Sequence, residues 1–252
     1  MNSEVITVAT HEEGLLKELI NNNFNIKIRV LGFGEKWTGF KMKFELVYNY
    51  IKNLPNDKII IFLDGFDSTI NGSLDKAINR FLKKKSKVIF SKDVYSPFYG
   101  LEKIVFPTCR NNIIINSGMY MGYVKYLKIL LHELLTKKCK DDQVIVNRLC
   151  KKYEFINIDN NEDIFKNVYN TRNLNNEMKK SNAIFFSQPG TLSFKRVKRA
   201  IIEYSQFFIP YILLLYIIMM YLYYKSKKIY HIITITIILI IFLIIIEKSC
   251  II

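Results

Sequence analysis

Over the first two hundred residues, short β-branched runs alternate with stretches whose apolar residues recur at helical spacing, the pattern of an α/β domain. Strands are predicted at residues 5–9 and 26–31, and helices at 12–21 and 41–53, where Phe44, Leu46, Val47, Tyr50 and Ile51 share one face. Pro55 stops the second helix. Residues 58–63 are an almost unbroken apolar run, as in a strand buried on both faces of a mostly parallel sheet. A helix at 74–84 and a strand at 88–91 follow. Residues 95–112 contain Pro97, Gly100 and Pro107, lack a clear period and read as a loop over the sheet. Two short strands at 113–115 and 119–122, hinged at Asn116-Ser117-Gly118, precede helices near 125–136 and 142–152. Strands at 155–158 and 183–186 close the sheet, and the asparagine-rich stretch 170–182 reads as a polar loop.

The pattern changes near the end of the chain. Residues 207–224 and 229–246 contain no charged residue, and only Lys225-Ser226-Lys227-Lys228 separates them. These runs predict a transmembrane helical hairpin at 207–246 behind a basic juxtamembrane segment at 195–206, with the globular domain at 1–194. At 1.5 Å per residue each run would span roughly 27 Å. Segregated runs of this kind account for 50% hydrophobic residues in a chain that is also strongly basic.

The net charge is +15; Lys225, Lys227 and Lys228 carry three of these charges and Glu247 cancels Lys248, so twelve fall on residues 1–206. There they are spread out rather than striped and accompany abundant isoleucine and asparagine, so they read as solvated lysines and not as a nucleic-acid groove. Lys195, Arg196, Lys198 and Arg199 form a patch suited to anionic lipid. Residues 1–10, with Glu4 among them, lack the basic start and apolar stretch of a secretory signal. The head is therefore expected to face the cytosol, with Cys109, Cys139, Cys150 and Cys250 as free thiols. They include no CxxC pair, which argues against a structural zinc site.

Two acidic motifs carry candidate chemistry. Phe62-Leu63-Asp64-Gly65-Phe66-Asp67-Ser68 places two carboxylates directly after the buried strand, where open α/β sheets bind ligands. Such a pair suits a hard divalent cation on a diphosphate, or else an Asp-Gly turn with capping aspartates. Asp141-Asp142-Gln143 opens a helix, as capping acids do or as acids facing a substrate would. Trp37 follows a glycine-containing strand-end loop, where its ring would stack on a base or sugar or join the core. Gly32 and Gly34 are not a dinucleotide fingerprint, because the third glycine would fall at Trp37.

Taken in order, these residues resemble the glycosyltransferase domain of procollagen lysyl hydroxylases over about residues 4–192. Val5-Ile6-Thr7-Val8-Ala9-Thr10 is similar to the opening strand of that family and Leu31-Gly32-Phe33-Gly34-Glu35-Lys36-Trp37 to its nucleotide-side loop. Leu63-Asp64-Gly65-Phe66-Asp67 resembles its metal motif, and Lys43 falls at a lysine of the same helix. Asn116-Ser117-Gly118-Met119-Tyr120-Met121-Gly122-Tyr123 resembles its glycine-rich strand pair and Asp141-Asp142-Gln143 its acceptor-side motif.

The resemblance implies a GT-A-like fold, a UDP-sugar donor such as UDP-glucose or UDP-galactose, Mn²⁺ or Mg²⁺, and transfer to hydroxylysine or galactosyl-hydroxylysine of a collagen-like polypeptide. It implies that Asp64 and Asp67 hold the metal, that Trp37, Lys43, Phe66 and Gly118 line the donor site, and that Asp141 and Asp142 serve the acceptor. The family's late histidine ligand is missing: Ser187 stands there with a one-residue gap, Phe186 without it. Ser187 is then the third expected metal position. The alternative is a membrane-tethered UDP-sugar-binding or scaffold protein without turnover.

Overall fold

The computed structural model describes residues 2–94, 107–139, 141–168, 174–189 and 209–226. The expected loop segment 95–106, the basic cluster from Lys195 to Arg199 and the second apolar run at 229–246 lie outside them. The chain divides into two compact units, Met1–Lys137 with Asp141–Leu192, and Lys138–Lys140 with Ser193–Ile252.

In the first unit β1 (Ser3–Val8), α1 (Leu16–Ile20), β2 (Ile28–Leu31), α2 (Lys41–Ile51) and β3 (Ile59–Asp64) come first. They are followed by β4 (Ser68–Ile70), α3 (Leu74–Lys83), β5 (Val88–Lys92), a turn at Arg110–Asn112 and β6 (Ile115–Tyr123). Then come α4 (Val124–Thr136), α5 (Asp142–Lys152), β7 (Ile156–Ile158), β8 (Phe165–Asn167), α6 (Leu174–Lys179) and β9 (Phe185–Ser187). Six strands form one sheet in the order β2-β1-β3-β6-β5-β7, and three form a second in the order β4-β9-β8.

The large sheet is mixed: β1 is parallel to β2 and β3, β5 is parallel to β7, and β6 runs antiparallel to both β3 and β5. Its centre is β3, whose Ile59, Ile60, Ile61, Phe62 and Leu63 are all fully buried, as the unbroken apolar run predicts. Helix α2 buries Met42, Phe44, Val47 and Ile51 at helical spacing, and fully burying an aliphatic or aromatic side chain of this size contributes about 1.5–3 kcal/mol. Chain order runs outward from β1 in both directions, so the crevice beyond the carboxyl ends of β1 and β3 is where a ligand is expected.

Several expectations are corrected. The predicted helix at 12–21 shortens to Leu16–Ile20 because Gly14 takes φ +58°, which lets the Leu15 N–H donate to the Phe66 carbonyl at 2.9 Å. A Cβ on Gly14 would lie 2.2 Å from that carbonyl oxygen, so the approach requires glycine. The two strands expected around Asn116-Ser117-Gly118 are one strand, β6, because the hinge is a bulge. On the β5 side Phe90 pairs with Tyr120 and Ser91 with Asn116, leaving Ser117, Gly118 and Met119 unmatched. The last strand belongs to the small sheet and does not close the large one; β4 and β8, three residues each, are too short to show a period. Within the expected polar loop, residues 174–179 form α6.

The thiols also depart from expectation. Cys109 and Cys150 form a disulfide, their Cα atoms 5.5 Å apart, and Cys139 is not a free thiol either. No spacing rule links residues 41 apart in sequence; the fold brings them together by laying α5 beside the approach to β6. Arg110 reinforces the join, its Nη2 donating to the Tyr153 carbonyl at 2.9 Å at the end of α5.

At the amino end of the sheet Glu4 accepts hydrogen bonds from Arg29 at 2.6 Å, Tyr50 at 2.7 Å and Lys58 at 2.6 Å. Burial pushes its carboxyl up, but these donors outweigh it and hold the group down at about 2. A depressed folded value means the stability from Glu4 is present above the ordinary glutamate range and is lost as pH falls towards about 2. Urea unfolding between pH 5 and pH 2 should therefore show an acid limb that Glu4→Gln flattens.

In the second unit, α7 (Ile209–Ser226) occupies most of the first apolar run, with Leu213, Leu214, Leu215, Ile217, Ile218 and Tyr221 exposed. Among the described residues no helix is long and apolar enough to cross a membrane.

Candidate active site

Asp64 ends β3 and opens the turn to β4 that carries Phe66 and Asp67. Gly65 lets this turn press against β1, since a Cβ there would lie 2.8 Å from the Val8 carbonyl oxygen. Across the crevice Lys43 projects from α2 and Asp142 from the first turn of α5, with side chains only 7% and 6% exposed. The Lys43 Nζ lies 2.5 Å from Asp142 Oδ2 and 3.5 Å from Asp64 Oδ1, bridging the two acids. The Ser117 hydroxyl, turned inward by the β6 bulge, donates to the same Asp142 Oδ2 at 2.6 Å.

Gly118 is needed beside Ser117. A Cβ there would stand 2.7 Å from Asp64 Oδ2 and 2.9 Å from Asn116 Oδ1. The bulge is fixed by Asn116, whose Oδ1 accepts from the Gly118 N–H at 2.8 Å and whose Nδ2 donates to Asp93 at 3.3 Å. Gln143 of α5 donates to the same Asp93 carboxylate at 2.8 Å. Asn147 then docks α5 on β6, accepting from the Ile115 N–H at 2.8 Å and donating to its carbonyl at 3.0 Å.

The two acids of the Asp141-Asp142 pair part company here. Asp141 is the N-cap of α5, its Oδ1 accepting from the Val144 N–H at 2.8 Å, the capping use open to both in the sequence. Asp142 faces Lys43 and Ser117 instead.

The charges explain the electrostatics. Burial pushes Asp64 up to about 6; Lys43 opposes the rise and the charges of Asp67 and Asp142 add to it. Burial pulls the Lys43 ammonium down, yet Asp142 and Asp64 outweigh it and raise the group above the ordinary lysine range. Tyr120 lies under the cluster, stacked on Phe62 at 4.8 Å and on Phe44 at 6.2 Å. Burial, then the charges of Asp64 and Asp142, raise its hydroxyl well above the usual tyrosine range.

The other expected residues have partners of their own. Phe66 meets the His11 ring at 5.2 Å at the end of β1, and Trp37 lies edge-on to Phe40 at 6.3 Å with its indole Nε1 buried. Ser187 pairs with Ser68 across β9 and β4, and the next N–H, of Gln188, donates to the Asp67 carbonyl at 2.8 Å. As a metal site the arrangement is partial: Asp64 and Asp67 are close enough for their like charges to interact, a repulsion a cation would relieve. Among the described residues no three His, Cys, Asp or Glu side chains gather to hold an ion. Nothing in the sequence signalled that Ser117 would reach Asp142 or Asn116 would reach Asp93, because these partners are 25 and 23 residues apart.

The sequence profile of the PLOD GT domain matches residues 1–188. The chain belongs to the PLOD GT domain family. Among curated proteins this PLOD GT domain is 28% identical over 182 residues to the multifunctional procollagen lysine hydroxylase and glycosyltransferase LH3 of Homo sapiens, covering 65% of this chain and 25% of that protein. It is 31% identical over 185 residues to procollagen-lysine,2-oxoglutarate 5-dioxygenase 1 of Gallus gallus, covering 66% of this chain and 25% of that one. A multifunctional procollagen lysine hydroxylase and glycosyltransferase of Caenorhabditis elegans is 26% identical over 187 residues, at 65% and 25% coverage. The chain thus spans about a quarter of the length of these relatives.

Proposed function

We propose that this chain is a membrane-anchored glycosyltransferase that moves glucose or galactose from a UDP-sugar to hydroxylysine of a collagen-like polypeptide. The observation that carries the reading is the Lys43 bridge between Asp64 and Asp142 at the carboxyl end of β3, in a PLOD GT domain. Asp64 and Asp67 would hold Mn²⁺ or Mg²⁺ with the donor phosphates, where the ion supplies positive charge to the departing diphosphate.

The chain's own residues do the rest. Trp37 and Phe66 offer aromatic faces to the uracil side, and Gly118 leaves the room beside Asp64 that a side chain would fill. Lys43 keeps a permanent positive charge beside the diphosphate and pairs with Asp142. Both bonds to Asp142 fall on Oδ2, which leaves Oδ1 to orient the acceptor hydroxyl. The acceptor oxygen forms a bond to the sugar C1, the C1–O(phosphate) bond breaks with its electron pair leaving on UDP, and the hydroxyl proton passes to solvent water. Acceptor orientation assigns Asp141 a supporting part as the cap that fixes the helix bearing Asp142.

The apolar runs at 207–224 and 229–246 support the anchor, and the Cys109–Cys150 bond supports a head in an oxidising compartment rather than facing the cytosol. The test is UDP release by the full chain with a hydroxylysine peptide and UDP-glucose or UDP-galactose. Transfer is expected, and Asp142→Asn should lower it on the order of a hundred-fold while UDP affinity stays within about two-fold. UDP bound without any release would favour the non-catalytic scaffold, a reading to which the neutral Ser187 lends support.

A further inference from the structure

The small sheet carries a polar row that the chemistry above leaves unused. Its inner face begins apolar, with Ile70, Phe185 and Phe165 in register across β4, β9 and β8 and packed into the main core. Two residues along, the same face turns polar: Ser68, Ser187 and Asn167 stand in register, 0%, 2% and 3% exposed. Register partners on neighbouring strands project to the same side, so the three side chains are neighbours.

The row lies beside the donor motif. Ser68 directly follows Asp67, and Gln188, directly after Ser187, donates its N–H to the Asp67 carbonyl at 2.8 Å. At the far end Asn167 Nδ2 donates to the Lys92 carbonyl at 2.7 Å, at the carboxyl end of β5. Among the described residues, Ser68 Oγ and Asn167 Oδ1 are buried without a hydrogen-bond partner. A buried polar atom without a partner is a net cost to the fold, and two in one row flanking a third hydroxyl mark groups reserved for something else.

The chemistry of the row selects its ligand. It offers hydroxyls, which donate and accept, and an amide oxygen, which accepts, with no charge on any of the three. Divalent cations favour carboxylates and phosphates favour cations, so neither matches a neutral row; uncharged hydroxyl groups do. We propose that Ser68, Ser187 and Asn167 form the subsite for the ring hydroxyls of the donor hexose. One sugar hydroxyl donates to Asn167 Oδ1 while Ser68 Oγ and the Ser187 hydroxyl exchange hydrogen bonds with its neighbours. Ser187 is thereby assigned to the sugar and not to the metal. The assignment rests on the glycosyltransferase reading.

The experiment compares the affinity of the full chain for UDP, UDP-glucose and UDP-galactose with Mn²⁺ present, in wild type, Ser68→Ala and Ser187→Ala. Wild type should prefer one UDP-sugar to UDP. Each variant should lose that preference on the order of ten-fold, the effect of one hydrogen bond, with UDP affinity unchanged. Ser68→Ala should also melt at the same temperature or higher, because it removes a hydroxyl that nothing in the fold satisfies. An unchanged preference in both variants, a wild type that binds UDP and UDP-sugars alike, or unfolding of both variants would overturn the subsite while leaving the glycosyltransferase reading standing. A wild type that binds no uridine nucleotide would overturn the reading of function itself.

Discussion

Lys43→Met should cost the protein about 3–5 kcal/mol of stability, the largest loss expected from any single substitution near the site. Methionine keeps most of the stem that packs in α2 and removes only the ammonium. Asp142, 4% exposed, is then left with the Ser117 hydroxyl as its one named partner, and Asp64 loses the charge that opposes its rise. Breaking a buried pair by removing one partner is far more damaging than replacing both, so Lys43→Met with Asp142→Leu should recover much of the loss. Thermal or urea unfolding of the single and double variants measures the difference. A single-variant loss below about 1 kcal/mol would mean the pair behaves as a solvated surface contact, against its 7% and 6% side-chain exposure.

Asp64→Asn should abolish metal-dependent donor binding without weakening the fold. Even residues that merely support metal ligands cost about 10- to 100-fold in affinity when removed, so one of two carboxylates should cost no less. Stability should hold or rise at neutral pH, because burial disfavours the ionised Asp64 that the amide replaces. Asp67→Asn should weaken metal and donor together in the same way. Isothermal titration with Mn²⁺ and UDP on the folded variants decides the matter, and metal-dependent binding persisting in both would remove these acids from the donor site.

What the sequence disclosed of this arrangement depended on how locally each feature is encoded. The central strand was plain, because an unbroken apolar run of this length reads as a buried strand wherever it occurs, whereas Asp64 at its end read equally as a cation site or as the start of an Asp-Gly turn. Lys43 was another matter. A lysine on an amphipathic helix ordinarily reads as solvated, and only the resemblance to a family singled it out before the fold showed its ammonium between two acids. Ser117 and Asp142 are 25 residues apart and meet because a bulge turns one of them inward, while glycine and serine within a strand read equally well as a hinge. The split between Asp141 and Asp142 was open in the sequence, since a helix start accepts either acid as its cap. The three-residue strands of the small sheet carried too few positions for a period, and so their polar row could not be anticipated.

The Cys109–Cys150 bond divides the domain mechanically. It closes a ring around β6, α4 and most of α5, so the bulge and both acids of the Asp141-Asp142 pair sit on a covalently closed loop while Asp64 and Asp67 sit on open chain. Tension applied between residues 2 and 188 could unravel the chain that carries Asp64 and Asp67 but could not extend the loop. The sequence separation of 41 would stay hidden, roughly 140 Å of contour length at about 3.4 Å per residue, until a reductant was added. In a single-molecule trace the segment that carries Asp141 and Asp142 would therefore be silent under force in oxidising buffer and would register as an added length step in reducing buffer.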